Sequence, residues 1–317
     1  MTTGIHHITA FCADPQANVD FYTTVLGLRL IKVTINYDDP GTYHLYYGDE
    51  RGTPGSVLTF FPWTGSPRGT PGRGQAGVIR FSVPAGTLEV WAERLGQAGI
   101  LTLGPQTRDD TEVLTLADPD GILLELVAGS GNDLREPWTG DGVPQEMAIR
   151  GFESVELWSL RPDATNRFLE SVMGWSLVDQ NEERSRWQLG NGGPGAWVDL
   201  PHHPAPSAGK MGPGTIHHVA WSIETDSEHQ RWLEQLQESG VPVSHAYDRT
   251  YFRSLYFREP GGVLFELATE APGFTIDEPL ETLGEKLQLP AWLEAQRDRV
   301  EAQLTPFVTR RGVAFPA

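Results

Sequence analysis

Short runs of strand-like apolar residues alternate along the chain with amphipathic stretches, and the same order of elements comes round four times. Two segments open alike: Gly4-Ile5-His6-His7-Ile8-Thr9 and Gly214-Thr215-Ile216-His217-His218-Val219-Ala220. Each reads as a strand. After a loop, a helical pattern follows over residues 17–28 in the first and 227–240 in the second. Two further copies keep the order without the histidines, with a strand over 77–83 and helix over 88–99, then a strand over 151–158 and helix over 164–174. Three copies close on a turn and a strand: Thr53-Pro54-Gly55-Ser56-Val57-Leu58, Asp118-Pro119-Asp120-Gly121-Ile122-Leu123-Leu124-Glu125 and Glu259-Pro260-Gly261-Gly262-Val263-Leu264-Phe265-Glu266. Proline there fixes φ and glycine permits φ > 0, which makes each a tight reversal into a strand. The fourth, near 195–200, fits this shape less well.

The modules therefore span 4–62, 76–130, 150–201 and 214–270, each a βαβββ unit that cannot cover both faces of its own sheet. They must pair, which predicts an α+β protein. Stretches rich in Gly and Pro over 65–74, 129–144 and 202–213 read as linkers. The expected organisation is an N-terminal domain over 1–145 with two modules, a C-terminal domain over 146–270 with two more, and an extension over 271–317. That extension carries one predicted helix, 291–304, with Trp292, Leu293, Val300 and Leu304 packing on the body.

Composition narrows the function classes. A length of 317 residues allows two domains at roughly 150 residues each. With 24 Lys and Arg against 42 Asp and Glu, the net charge of −18 repels a phosphate backbone or an anionic lipid surface, so nucleic acid and membrane are not expected partners. The opening Met1-Thr2-Thr3-Gly4 lacks a basic or apolar leader pattern, and no stretch reaches the ~18 apolar residues of a membrane span, so a cytoplasmic protein is expected. The single cysteine, Cys12, reads as a small buried hydrophobe and leaves histidine and carboxylate as the candidate metal ligands.

Six of the nine histidines lie in three adjacent pairs, and two pairs open equivalent strands. Neighbouring side chains on a strand point to opposite faces. One of each pair is therefore expected to aim into a shared site, with Thr9 beside His7 and Ala220 beside His218. Glu266, on an otherwise apolar closing strand, completes two histidines and one carboxylate, the donor set of non-haem Fe(II) oxygenases that Mn(II) or Zn(II) also accepts. A lone strand histidine is ordinarily core; duplication at one module position is what favours a metal. His202-His203, between Pro201 and Pro204, reads instead as an exposed loop pair or an adventitious metal contact.

These residues resemble the vicinal oxygen chelate superfamily, and within it the ring-cleaving dioxygenases of hydroquinones, with glyoxalases as cousins; the resemblance covers residues 4 to about 270. It implies two curled, cup-like mixed sheets with helices outside, module one pairing with module four, and one metal-bearing cup. It implies His7, His218 and Glu266 as metal ligands. Tyr256 and Arg249 match pocket positions, and His6, His217 and Thr9 match positions that hydrogen-bond around ligands and substrate. Counting from Ser56 as from Gly262, the position matching Glu266 in module one is Phe60, which cannot ligate. In the other cup the first-strand positions are Val78 and Ser154, and Glu125 reads as structural. The implied activity is Fe(II)-dependent cleavage of a hydroquinone-type ring with O2, with Phe60, Trp63 or Phe252 walling the pocket. A metal-dependent glyoxalase or isomerase and a sequestering resistance protein are the competing readings, and a homo-oligomer is left open.

Overall fold

A computed structural model describes residues 2–108, 111–129, 133–140, 142–203, 205 and 207–316. Parts of the linkers 129–144 and 202–213, including Pro204, lie outside the described residues. Module one comprises β1 (Ile5–Cys12), α1 (Pro15–Val19), β2 (Arg29–Asn36), β3 (Asp39–Gly48) and β4 (Val57–Pro62). Module two comprises β5 (Gln75–Val83), α2 (Leu88–Gln97), β6 (Thr102–Arg108), β7 (Thr111–Ala117) and β8 (Leu123–Ala128). Module three comprises β9 (Gly151–Trp158), α3 (Pro162–Ser171), β10 (Ser176–Gln180), β11 (Arg184–Gln188) and β12 (Trp197–Pro201). Module four comprises β13 (Thr215–Ile223), α4 (Asp226–Glu238), β14 (Tyr247–Asp248), β15 (Arg253–Arg258) and β16 (Leu264–Thr269). The helices follow their sequence signals: Asp14 caps α1 by accepting from the Gln16 and Ala17 amides with Pro15 at the first turn, and Thr225 caps α4. After Val19 the first helix widens into a π-helical turn over Asp20–Val25, where the Thr23 hydroxyl donates back to the Val19 carbonyl at 2.7 Å.

Two eight-stranded mixed sheets result. One runs β14-β15-β16-β13-β1-β4-β3-β2 and joins modules one and four; the other runs β10-β11-β12-β9-β5-β8-β7-β6 and joins modules two and three. Each central pair, β1 with β13 and β5 with β9, is antiparallel, and each closing strand lies parallel to the first strand of its own module. The core fills the space between sheets and helices, with Trp91, Trp221, Tyr22 and Phe265 among its largest enclosed side chains. Cys12 is buried there and free, as expected. Among the described residues no helix is long and apolar enough to cross a membrane.

The extension departs from its prediction. Only Arg297–Glu301 (α5) is α-helical, preceded by a 3-10 turn over Glu294–Gln296, and the chain ends in a small pair of β17 (Phe307–Val308) and β18 (Ala314–Phe315). Leu293, Val300 and Leu304 are buried as expected, whereas Trp292 is 60% exposed. Gln296, at φ −113° and ψ 16°, leaves the helical region and separates the 3-10 turn from α5. Docking of three side chains on the body thus replaces a regular helix, which at this length has little stability of its own.

Candidate active site

The register of β1 against β13 explains how paired histidines reach one place. Ile5 faces Trp221 and His7 faces Ala220, so His6 is an extra residue; Thr9 faces His218 and Ala10 faces Ile216, so His217 is another. Each is a β-bulge, which suspends the alternation of faces and re-aims a side chain. The two rings of each pair consequently meet edge to edge, with Nδ1 of His6 and His7 2.9 Å apart and Nδ1 of His217 and His218 also 2.9 Å apart. Strict alternation, the sequence-based expectation, does not hold here. The device belongs to the module: Gly77 and Glu153 are the extra residues of the other central pair. At Gly77 a Cβ would come within 1.9 Å of the Trp158 ring, so only glycine fits.

His7, His218 and Glu266 converge. Nε2 of His7 and His218 are 3.3 Å apart, and Glu266 Oε2 lies 3.2 and 2.8 Å from them. All three side chains are buried. Glu266 Oε1 accepts from the Ser254 hydroxyl, while Oε2, fully enclosed, has no hydrogen-bond partner. An orphaned buried carboxylate oxygen facing two imidazole nitrogens is costly unless a cation completes it, so these residues fit a divalent metal. Burial alone would oppose ionisation, but the two imidazoles hold the Glu266 carboxyl well below the usual carboxylate range. Burial lowers His218, and it pushes His6 and His217 down to about 3, so the partners of His7 and His218 are neutral imidazoles able to accept an Nδ1–H.

The position in module one that corresponds to Glu266 is Thr59, not Phe60. Glu266 stands opposite Ala220 and Thr59 opposite Thr9, each two residues beyond its histidine, and each lies four residues after a positive-φ glycine, Gly262 or Gly55. Counting from Ser56 starts one residue late. Phe60 therefore faces the core, fully buried against Tyr22 and Tyr47, and does not line the cavity over the site. Thr59 Oγ1 lies 2.8 Å from both Thr9 Oγ1 and His44 Nε2, and His44 Nδ1 is 2.8 Å from the Tyr46 hydroxyl.

Above this group opens a cavity of about 530 Å³, lined by His7, His218, His217, His44, Arg249 and Tyr256 together with an aromatic wall. Trp63 and Phe252 belong to that wall, as expected; the Phe11 and Trp63 rings lie 4.0 Å apart and the Phe61 and His44 rings 4.2 Å apart. The Arg249 guanidinium lies 4.7 Å over the Tyr247 ring and 5.4 Å over the Tyr256 ring, and pairs with Asp38 at 3.1 Å. Although burial opposes its charge, Tyr256 and Asp38 hold it cationic. Burial, with Glu266 nearby, pushes the Tyr256 phenol up, so it stays protonated. His202 lies apart, bonded to Ser185 and the Glu182 carbonyl, and His203 is exposed.

Comparison with known proteins fits this architecture. The family model described as Glyoxalase/Bleomycin resistance protein/Dioxygenase superfamily matches residues 4–126 and 151–267. The chain belongs to that superfamily. MhqO of Bacillus subtilis (strain 168), provisionally named a ring-cleaving dioxygenase, is 43% identical over 98% of both chains. The chlorohydroquinone/hydroquinone 1,2-dioxygenase of Sphingobium indicum is 34% identical over 94% of each. A crystal structure of a provisionally named dioxygenase from B. subtilis superposes with a TM-score of 0.92 at 42% identity, covering 98% of each chain.

In this superfamily member the second cup is filled by charge of its own. Arg80, 7% exposed, donates from Nε to Glu125 at 2.6 Å, from Nη1 to Asp199 at 2.6 Å and from Nη2 to Glu156 at 2.7 Å. Arg108 also meets Glu125, and Arg184 and Arg186 meet Asp199. Glu125 is thus structural, as its sequence setting implied. His44, Thr59, Ser254 and Asp38 escaped sequence reasoning; the alignment of Gly55 with Gly262 was the available signal for Thr59, while the others lie on strands or loops with no repeat counterpart carrying chemistry.

Proposed function

We propose that this protein is an Fe(II)-dependent, extradiol-type ring-cleaving dioxygenase that inserts O2 into a hydroquinone-type aromatic. The observation that carries it is the convergence of His7 Nε2, His218 Nε2 and Glu266 Oε2 on the floor of an aromatic-walled cavity. Two histidines and one carboxylate leave open positions on a six-coordinate metal, and Mn(II) or Zn(II) suits the same atoms. The names of the relatives support the reaction class. When bound, Fe(II) would supply Lewis acidity and a one-electron centre beside which a phenolic hydroxyl and O2 can both be held.

The chain's own residues prepare that encounter. His6 and His217 accept from the Nδ1–H of His7 and His218, leaving each Nε2 lone pair aimed inward. Ser254 holds the far oxygen of Glu266. Phe252, Trp63 and Phe11 take up the ring and exclude water. Arg249 stabilises a substrate phenolate by its permanent charge, and the protonated Tyr256 is placed to give a proton to a substrate oxygen. Thr9, enclosed and with its hydroxyl bonded only to Thr59, does not reach the cavity. Ligands come from both halves of the chain, 1–145 and 146–270, so neither half acts alone. Thr59 rather than a carboxylate at the place corresponding to Glu266 counts against a four-ligand isomerase site, and three buried ligand side chains count against a metal-free sequestering protein.

The test is anaerobic reconstitution with Fe(II), then oxygen uptake with hydroquinone, its methyl and chloro derivatives and catechol, with isomerisation of the glutathione adduct of methylglyoxal as control. Ring-opened product coupled to oxygen uptake, at one metal per chain, is the expected result. Iron bound without uptake discards the substrate class; no iron bound discards the metal centre.

A further inference from the structure

His44, Thr59 and Tyr46, which that mechanism does not use, continue from Thr9 as an unbroken line of hydrogen bonds, each 2.8 Å long. Counting protons gives the line a direction. Thr9 is completely enclosed and its hydroxyl meets only Thr59, so its O–H must donate there or stay unsatisfied at a cost comparable to a lost buried hydrogen bond. Thr59 is equally enclosed and has one partner left, so its O–H goes to His44 Nε2. Burial keeps the His44 imidazole neutral, and an imidazole that accepts at Nε2 carries its proton on Nδ1. Nδ1–H therefore donates to the Tyr46 oxygen. Tyr46 lines the cavity with Tyr37, Arg249 and Tyr256, and its own O–H is the one donor of the four left over. A phenol that already accepts a hydrogen bond is a stronger donor.

We propose that Tyr46 is a further substrate-binding residue, presenting its phenol O–H to a ring hydroxyl or phenolate oxygen in the cavity, with His44 and Thr59 as the residues that position that proton. The proposal rests on an aromatic substrate with ring oxygens, as in the reading above. It gives the quadrant opposite Glu266 a purpose: the place of a fourth carboxylate is taken by hydroxyls whose protons are drawn away from the metal side and delivered to the cavity wall.

Two measurements test it. In the full-length protein carrying 15N-labelled histidine, two-bond 1H–15N correlations read the tautomer of His44 without any turnover; the Nδ1–H form is expected, and the Nε2–H form overturns the assignment. Thr59→Val, nearly isosteric, is expected to release that preference and so identifies the signal. Separately, binding to the metal-loaded protein without oxygen is titrated with methylhydroquinone and with toluene, which lacks ring oxygens. Tyr46→Phe should weaken methylhydroquinone about five- to tenfold, the scale of one neutral hydrogen bond, and leave toluene unchanged. Equal affinities in Tyr46→Phe and the parent chain overturn the proposal. Loss of the reaction class would show differently, as intact binding with no oxygen uptake in the parent chain.

Discussion

At the scale of single residues, the centre depends on which atom of each imidazole is free. His6 and His217 meet the His7 and His218 rings at Nδ1, and as acceptors there they would leave each Nε2 available to a metal. Replacing His6 by Phe keeps the ring volume but removes the acceptor; metal affinity should fall about 10- to 100-fold, read by competition against a chromophoric chelator. Glu266→Gln should fall further and lose stoichiometric metal altogether, because the orphaned anionic oxygen is what the cation neutralises. Phe60 gives the contrasting case. Sealed in the core against Tyr22 and Tyr47, it contributes packing only. Phe60→Ala should cost about 3–5 kcal/mol in unfolding free energy with metal affinity unchanged, a result that a pocket-lining Phe60 would not give.

Among elements, the loop from β14 to β15 carries Arg249 and Phe252 into the cavity, and the extension after β16 braces it. Lys32 on β2, with no exposed side-chain surface, pairs with Asp277 at 2.6 Å and with Glu278, and lies 5.0 Å over the Tyr251 ring. Tyr251 donates to the other Asp277 oxygen at 2.9 Å. Thr250 sits at φ +70°, unusual for a β-branched residue, and its hydroxyl is 2.7 Å from that of Tyr37. A loop held this way presents Arg249 without a search through conformations. Lys32→Ala strands buried carboxylate charge and should cost about 3–5 kcal/mol. The same variant should raise KM for the aromatic while metal content stays at the parent level, which links the extension to the pocket rather than to the ligands.

Over the whole molecule, the two sheets solve one electrostatic problem in two ways. Both cups gather carboxylates at the position four residues after a positive-φ glycine: Glu266 in one, Glu125 and Asp199 in the other. In the first cup a metal ion would be the fitting counter-charge; in the second it is the guanidinium of Arg80, with Arg108, Arg184 and Arg186 around it. Arg80→Met removes the central guanidinium, leaves Glu125 to Arg108 and Asp199 to Arg184 and Arg186, and should cost up to about 3–5 kcal/mol in chemical denaturation. Metal stoichiometry should remain one per chain, since the second cup has no histidine at Val78 or Ser154.

The order of the modules and the group His7, His218 and Glu266 were legible in the chain itself, because repeats, turn residues and a charged residue on an apolar strand are all local signals, while the pairing of module one with module four came from the family resemblance. The short helix of the extension was misjudged because its apolar spacing serves docking rather than helical periodicity. Three features belonged to tertiary structure alone. The bulges at His6 and His217 exist only where β1 meets β13, and no period-2 reading of either strand foresees that both rings of a pair turn to one place. Whether Gly55 or Ser56 matches Gly262 was decided only by the positive φ that the two glycines share and by the strand register, and an ungapped count from Gly55 then reaches Thr59 rather than Phe60. The line from Thr9 to Tyr46 joins β1, β4 and β3 side by side in the sheet, and its proton order follows from enclosure, a property that no single strand possesses before the sheet assembles.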